Sequence, residues 1–432
     1  MKRLSGRFEV RKLVAVTGAG VLLCTGLGVA GASAAARAAG PAAGSPATSV
    51  PMVPCAIKYA AGSLYVGSGY AVYKVSQQTG AATAIAPKFA FEQTFSQACG
   101  VAVDGAGNVL VADGAVVVAV AAKTGTFYGE KMIKGDAYPI AGGFQGITGA
   151  VDVQLDPSGN VVIAVAGESA SHTDNEQDSQ IFVLAERAGT FYGERMAKGK
   201  LYVIAGVLNG GPSPSPCDGP DAVGAPAATA AAPAATKATQ ANLGYDIGTL
   251  RFDAAGNIIL ADSGGDSGSP CGALSYNVHQ RVAVIPARTG SYYGQKMTVG
   301  DIYSIAGLGT KAGNGAPAAD SELPAVSAVA IDQAGNVLVA VGDTEYTHDV
   351  RVIAAKTGTF YGQKMIKGDI YSLPALAGAN AVAVDSAGNV LAGNLNGFLV
   401  QMLAAKTGDY YGVKARAGRV YTVAGTGKPP AQ

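Results

Sequence analysis

Only three histidines occur in the 432 residues of the chain, His172, His279 and His348. Each stands in a polar stretch, SASHTDN, YNVHQR or EYTHDV, of the kind found in loops. Three imidazoles converging on one water would make a catalytic zinc site, because zinc takes three protein ligands and keeps a fourth position open. The plainer reading is three solvated loop side chains. A second set of candidates is acidic. Asp113, Asp262 and Asp343 each stand at the end of a β-branched run in a recurring phrase, and Glu168 stands near the equivalent place in another copy. Calcium takes six to eight oxygens, so a ring of carboxylates with backbone carbonyls is a chemically reasonable Ca²⁺ site. An Asp after a strand is also ordinary turn chemistry.

What positions these residues is a repeat. GVAVDGAGNVLVAD (residues 100–113) returns as VDVQLDPSGNVVIAVAG (151–167), TLRFDAAGNIILAD (249–262), AVAIDQAGNVLVAVGD (328–343) and AVAVDSAGNVLAGN (381–394). Each is two β-branched runs around D-x-x-G-N. The carboxylates of Asp104, Asp156, Asp253, Asp332 and Asp385 can accept turn amides, and the Gly can take positive φ, so each phrase predicts a hairpin of strands a and b. A second phrase follows, as in AAKTGTFYGEKMIKGDAYPIAG (121–142), and supplies strands c and d around a Thr-Gly turn and an aromatic-Tyr-Gly segment. CAIKYAAGSLYVGS (55–68) aligns without gaps on the first phrase, with Tyr59 in place of the Asp. Six units of four antiparallel strands predict an all-β, six-bladed β-propeller over residues 54–427. Residues 428–432 are a tail.

The aromatic pairs Phe127-Tyr128, Phe191-Tyr192, Tyr292-Tyr293, Phe360-Tyr361 and Tyr410-Tyr411 recur in every copy of the second phrase. A residue needed by every blade reads as a staple between blades with its hydroxyl tied, rather than as a sugar-stacking ring. Function is then expected where blades differ. Residues 207–243 form a Pro/Ala-rich insertion between blades 3 and 4, and blade 4 has a long b–c loop. The d–a and b–c connections emerge on one face of the disc, and the three histidines fall in the b–c loops of blades 3, 4 and 5. Four cysteines follow the N-terminal segment, and four cysteines allow three pairings. Position favours Cys55 with Cys99, at the starts of strand a in adjacent blades, and Cys217 with Cys271, near one blade on one face.

The phrase G-V-A-V-D-x-x-G-N-V-x-V-A-D, followed by a c strand and TVAG or SIAG, resembles the NHL-repeat β-propellers of secreted bacterial proteins over roughly residues 54–425. Some enzymes of that type carry a metal above the central channel, and the six-bladed lactonases place carboxylates around Ca²⁺. The resemblance therefore implies a channel-mouth zinc or calcium site as one expectation. GGDSGSP (264–270) resembles the nucleophile segment of chymotrypsin-like proteases. No histidine here sits in a comparable catalytic phrase, and Gly, Ser and Asp are common loop residues.

Composition narrows the partners. Charged residues are 14% of the chain and the formal net charge is +1, with Lys and Arg spread thinly, which argues against nucleic acid. The N-terminus has a basic stretch, an apolar run and Ala32-Ser33-Ala34, the pattern of a secretory signal over residues 1–34. The alternative is a retained signal-anchor tethering the protein to the membrane. Leu23 stands where a lipoprotein signal wants a small residue, which argues against an anchor on Cys24. Residues 35–53 read as an Ala/Pro-rich linker. The expectation is a secreted, monomeric, non-catalytic scaffold that binds a protein or cell-wall polymer through its insertion-bearing face. The alternative is a metal-dependent lyase or hydrolase at the channel mouth.

Overall fold

The computed structural model describes residues 44–89, 95–143, 147, 149–167, 179–206, 236–241, 243, 247–263, 280–311, 314–342 and 349–430. Strands a to d form one antiparallel sheet in each of six blades, and blades 1, 2, 4 and 5 add a short fifth strand at the outer edge. The inner strands are Ala56–Ala60, Ala98–Val103, Ala150–Leu155, Ile247–Phe252, Val326–Ile331 and Ala381–Val384. Each lies against the inner strand of the next blade, and that of blade 6 lies against that of blade 1, which closes the ring. The chain is a six-bladed β-propeller.

Its core is divided among the seams. The buried apolar side chains fall into clusters shared by blades 1 and 2, 2 and 3, 3 and 4, 4 and 5, 5 and 6, and 6 and 1. Middle strands such as Val161–Val165 and Val337–Val341 are buried on both faces, because a neighbouring blade covers each side. This explains why they are unbroken β-branched runs rather than alternating ones.

Two segments read as linker or insertion carry structure. Ser45–Pro46 adds a strand to blade 1, the short helical turn Ala47–Ser49 follows, and Val50 and Met52 are buried. The linker reading over residues 35–53 therefore stops short of Ser45, since these side chains bury against the blade 6–blade 1 seam. The insertion likewise ends in a strand, Thr236–Lys237, and the turn Ala238–Gln240. Ala316–Pro317 and Ala318–Asp320 repeat the device before blade 5. In each case the strand pairs with the outer strand of the blade it precedes. The glycine closing the previous blade donates to this segment: Gly425 to Ala47 at 3.0 Å, Gly206 to Ala238 at 2.9 Å and Gly307 to Ser321 at 3.0 Å. Outer clips thus join blades 6 to 1, 3 to 4 and 4 to 5.

Blade 1 corrects the gap-free alignment. Its a–b connection is the two-residue turn Ala61-Gly62, both with positive φ, in place of the five-residue D-x-x-G-N. Tyr59 pairs with Leu64 as Val103 pairs with Val109, so Tyr59 lies within the strand, which runs to Ala60, and does not occupy the turn-Asp position. Lys58 consequently stands in register with Ala102, Gln154, Arg251, Ala330 and Ala383.

Cys55 and Cys99 form a disulfide, with Cα atoms 5.3 Å apart and a sequence separation of 44. It ties the inner strands of blades 1 and 2. Cys217 and Cys271 lie outside the described residues. Replacing both Cys55 and Cys99 with serine is expected to lower stability by about 2–4 kcal/mol, chiefly through the freed unfolded chain. Urea unfolding with and without reductant checks this, and reductant should lower the stability of the parent protein by more than that of the variant.

Candidate functional site

The residues first singled out divide sharply. His172, His279, His348, Glu168, Asp343 and the GGDSGSP segment lie outside the described residues. Asp113 and Asp262 are buried at the ends of strand b in blades 2 and 4, and each is engaged locally. Asp113 accepts the amides of Ser96 and Gln97 at 2.8 and 2.5 Å, and the Ser96 hydroxyl at 3.1 Å. Burial pushes its carboxyl upward, and these bonds oppose the shift. Asp262 pairs with Arg281 Nε at 2.7 Å. Among the described residues, no three His, Cys, Asp or Glu side chains gather as metal ligands.

The five turn aspartates act as hubs. In blade 2, Asp104 Oδ1 accepts the amides of Ala106 and Asn108, each at 2.8 Å, and Oδ2 accepts Asn108 Nδ2 at 2.7 Å and the Tyr128 hydroxyl at 2.8 Å. Asn108 Oδ1 accepts the amide of Ala122, pinning the end of strand c. The same set forms around Asp156, Asp253, Asp332 and Asp385, with hydroxyls from Tyr192, Tyr293, Tyr361 and Tyr411. The tyrosine is the first central residue of a two-residue hairpin turn, as in Gly125–Phe127 paired with Glu130–Met132. It sits at φ between 50° and 54° in all five copies, followed by a glycine also at positive φ. An L-residue at that φ costs about 1–2 kcal/mol. The charge-assisted bond to aspartate offsets this. The glycine before the first aromatic has a different reason: a Cβ on Gly125 would meet the Phe127 ring at 2.9 Å. The expected staple has two halves, because each tyrosine ring packs on a seam cluster while its hydroxyl returns to its own blade.

Burial and the adjacent aspartate push all five phenols well above the ordinary tyrosine range. Their folded pKa values exceed the unfolded value of about 10, so the stability they contribute is present below pH ~10 and is lost as pH rises beyond it. Spectroscopic titration at 295 nm should show five of the 19 tyrosines ionising only together with unfolding. If all 19 ionise before the far-UV circular dichroism changes, the hubs do not hold.

Sequence reasoning missed the cluster on the propeller axis. Arg251, from blade 4, donates through Nη1 to Asp152 Oδ2 at 2.9 Å and to its neighbour's carbonyl, Leu250 O, at 2.7 Å. Its Nη2 reaches the carbonyl of Ile57, in the opposite blade 1, at 3.3 Å. Asp152 Oδ2 also accepts the Leu250 amide at 2.9 Å, and Oδ1 accepts the amide of Val153 and Gln154 Nε2. Lys58 donates to Gln154 Oε1 at 2.6 Å, crossing from blade 1 to blade 3. Thr249 Oγ1 accepts the Val329 amide at 2.9 Å, tying blade 4 to blade 5. Asp152, Gln154, Thr249 and Arg251 are buried. Burial pulls the Lys58 amine down to about 7; the Arg251 charge adds to this and Asp152 opposes it. The signal was present as a departure from the repeat: where blades 2, 5 and 6 read V-A-V or V-A-I, blade 3 reads V-Q-L and blade 4 reads L-R-F.

No family model matches the sequence, and no curated protein matches it. Among solved structures, a gluconolactonase from Xanthomonas campestris is similar at a TM-score of 0.40 and 12% identity, over 77% of this chain and 80% of that one. The PQQ-bound aldose sugar dehydrogenase of Streptomyces coelicolor is similar at 0.38 and 14%, over 75% and 80%. PorZ, a surface component of the type-IX secretion system of Porphyromonas gingivalis, is similar at 0.41 and 14%, over 81% of this chain and 40% of that one. At these identities the likeness concerns the fold alone.

Proposed function

We propose that the chain is a secreted, monomeric β-propeller of the NHL-repeat type. It acts as a non-catalytic scaffold and binds a protein or cell-wall polymer through its insertion-bearing face. One observation carries the reading: the inner strands, where a propeller could converge reactive groups, spend their charged side chains on holding blades together. Arg251 and Asp152 join blades 3 and 4 and reach blade 1, and Lys58 joins blade 1 to blade 3. The strand-b carboxylates Asp113 and Asp262 are bound to their own surroundings. What differs between blades is the length of the d–a and b–c connections.

The test is co-sedimentation of the purified chain with insoluble cell-wall polymer, beside a form whose residues 207–235 are replaced by a short Gly/Ser linker. Retention that the trimmed form loses supports the reading. Stoichiometric zinc or calcium in the purified protein, lost on substituting His172, His279 and His348 together, would overturn it in favour of a metal-dependent lyase or hydrolase.

A further inference from the structure

The charges on the axis do not balance. Lys58 and Arg251 face one carboxylate, Asp152, and both of its oxygens are already occupied: Oδ1 by the Val153 amide and Gln154 Nε2, Oδ2 by the Leu250 amide and Arg251 Nη1. Lys58 has one acceptor, the neutral Gln154 Oε1, for three N–H donors. Lys58 is half-buried, and an ammonium there with a single neutral partner keeps an unmatched charge, so two responses are open to it. It can release its proton, or it can take up a counter-charge. Arg251 is paired with Asp152, so the surplus is one positive charge and it is localised at Lys58.

The surroundings favour the second response. Lys58, Gln154 and Arg251 share a register position with Ala102, Ala330 and Ala383, so half of the residues at this position carry only methyl groups. Those alanines present neither an acceptor nor a charge to the amine. Arg251 of blade 4 and Asp152 of blade 3 are the charged groups that face it, and blade 3 otherwise offers neutral Gln154. Arg251 reaches the carbonyl of Ile57 in the opposite blade, so its side chain spans the axis beside Lys58.

We propose that the propeller axis holds a site for one small monovalent anion, bound by the Lys58 ammonium with Arg251 behind it and facing the alanines of blades 2, 5 and 6. A halide and a small carboxylate share this chemistry. The bound anion returns the cluster to neutrality and adds a cross-channel tie among blades 1, 3 and 4. The lowered pKa of Lys58 makes occupancy depend on pH: below about 7 the amine is charged and ready, and above it the anion must also draw in a proton.

Thermal unfolding of the full chain tests this at constant ionic strength, with sulfate as background and chloride or formate added in separate series. Saturable stabilisation of the parent protein at pH 6, weaker by tenfold or more in apparent affinity at pH 8.5, is expected. Lys58→Met, which keeps length and removes the charge, should lose it. Response to chloride alone identifies a halide site, and response to formate alone a carboxylate site. The proposal is overturned if the parent protein responds to neither, if its response is the same at both pH values, or if Lys58→Met responds equally. The pH comparison uses the parent protein only, so it decides the matter even if Lys58→Met does not fold.

Discussion

Asp385→Ala is expected to destabilise the propeller by about 3–5 kcal/mol, within the range for uncompensated groups left in a buried network. Asp385 is 1% exposed. Its Oδ1 accepts the amides of Ala387 and Asn389, both at 2.9 Å, and its Oδ2 accepts Asn389 Nδ2 at 2.8 Å and the Tyr411 hydroxyl at 3.3 Å. Unlike the hubs of blades 2 to 5, it also receives a side chain from the next blade, Gln77 Nε2 of blade 1 at 2.8 Å. Alanine would strand these donors and release Tyr411, held at positive φ, from the bond that fixes its hydroxyl. Since the loss falls on the closing seam, it should exceed that of Asp104→Ala, whose carboxylate is half-exposed and has no partner in another blade. Urea unfolding of the two variants decides the matter. Equal losses would show that seam closure does not depend on Asp385.

The second large effect is expected at the axis. Asp152→Ala leaves Arg251 buried without its counter-charge, and breaking a buried pair from one side costs about 3–5 kcal/mol. Arg251→Met introduced with Asp152→Ala removes both charges and should recover most of the loss, because an apolar pair of similar volume avoids the desolvation cost. The measurement is a double-mutant cycle by urea unfolding. If the double variant is as unstable as Asp152→Ala alone, the cluster works through packing and not through charge.

The blades were legible because each copy of D-x-x-G-N sets a turn by local chemistry, and β-branched runs on either side leave the backbone little choice. The Cys55–Cys99 bond was legible for a related reason: both cysteines head an inner strand, and the ring makes those strands neighbours. The tyrosine was seen to repeat, but its acceptor was not named, since the bond from Tyr128 to Asp104 spans 24 residues. The axis cluster was harder. Gln154 and Arg251 look like single departures inside apolar strands. Their partners, Lys58 and the carbonyl of Ile57, lie 96 and 194 residues away and meet them only after the ring has closed. Lys58 was further obscured by the shortened turn of blade 1, which moves its strand by one position. The clips at Ser45–Pro46 and Thr236–Lys237 went unread because alanine, proline and threonine carry no strand pattern over two residues.

The clip at the N-terminal end of the described chain has a mechanical consequence. Ala47 accepts from Gly425 of the last blade and donates to Gly80 of the first at 2.8 Å, while Ser45–Pro46 lies antiparallel to Ala81–Ile85. A pull applied to the chain ahead of residue 44 would load these bonds before it reached any complete blade. Once they yielded, the ring would open at the seam between the first and last blades, so the disc would fail as a split washer does, at its one cut.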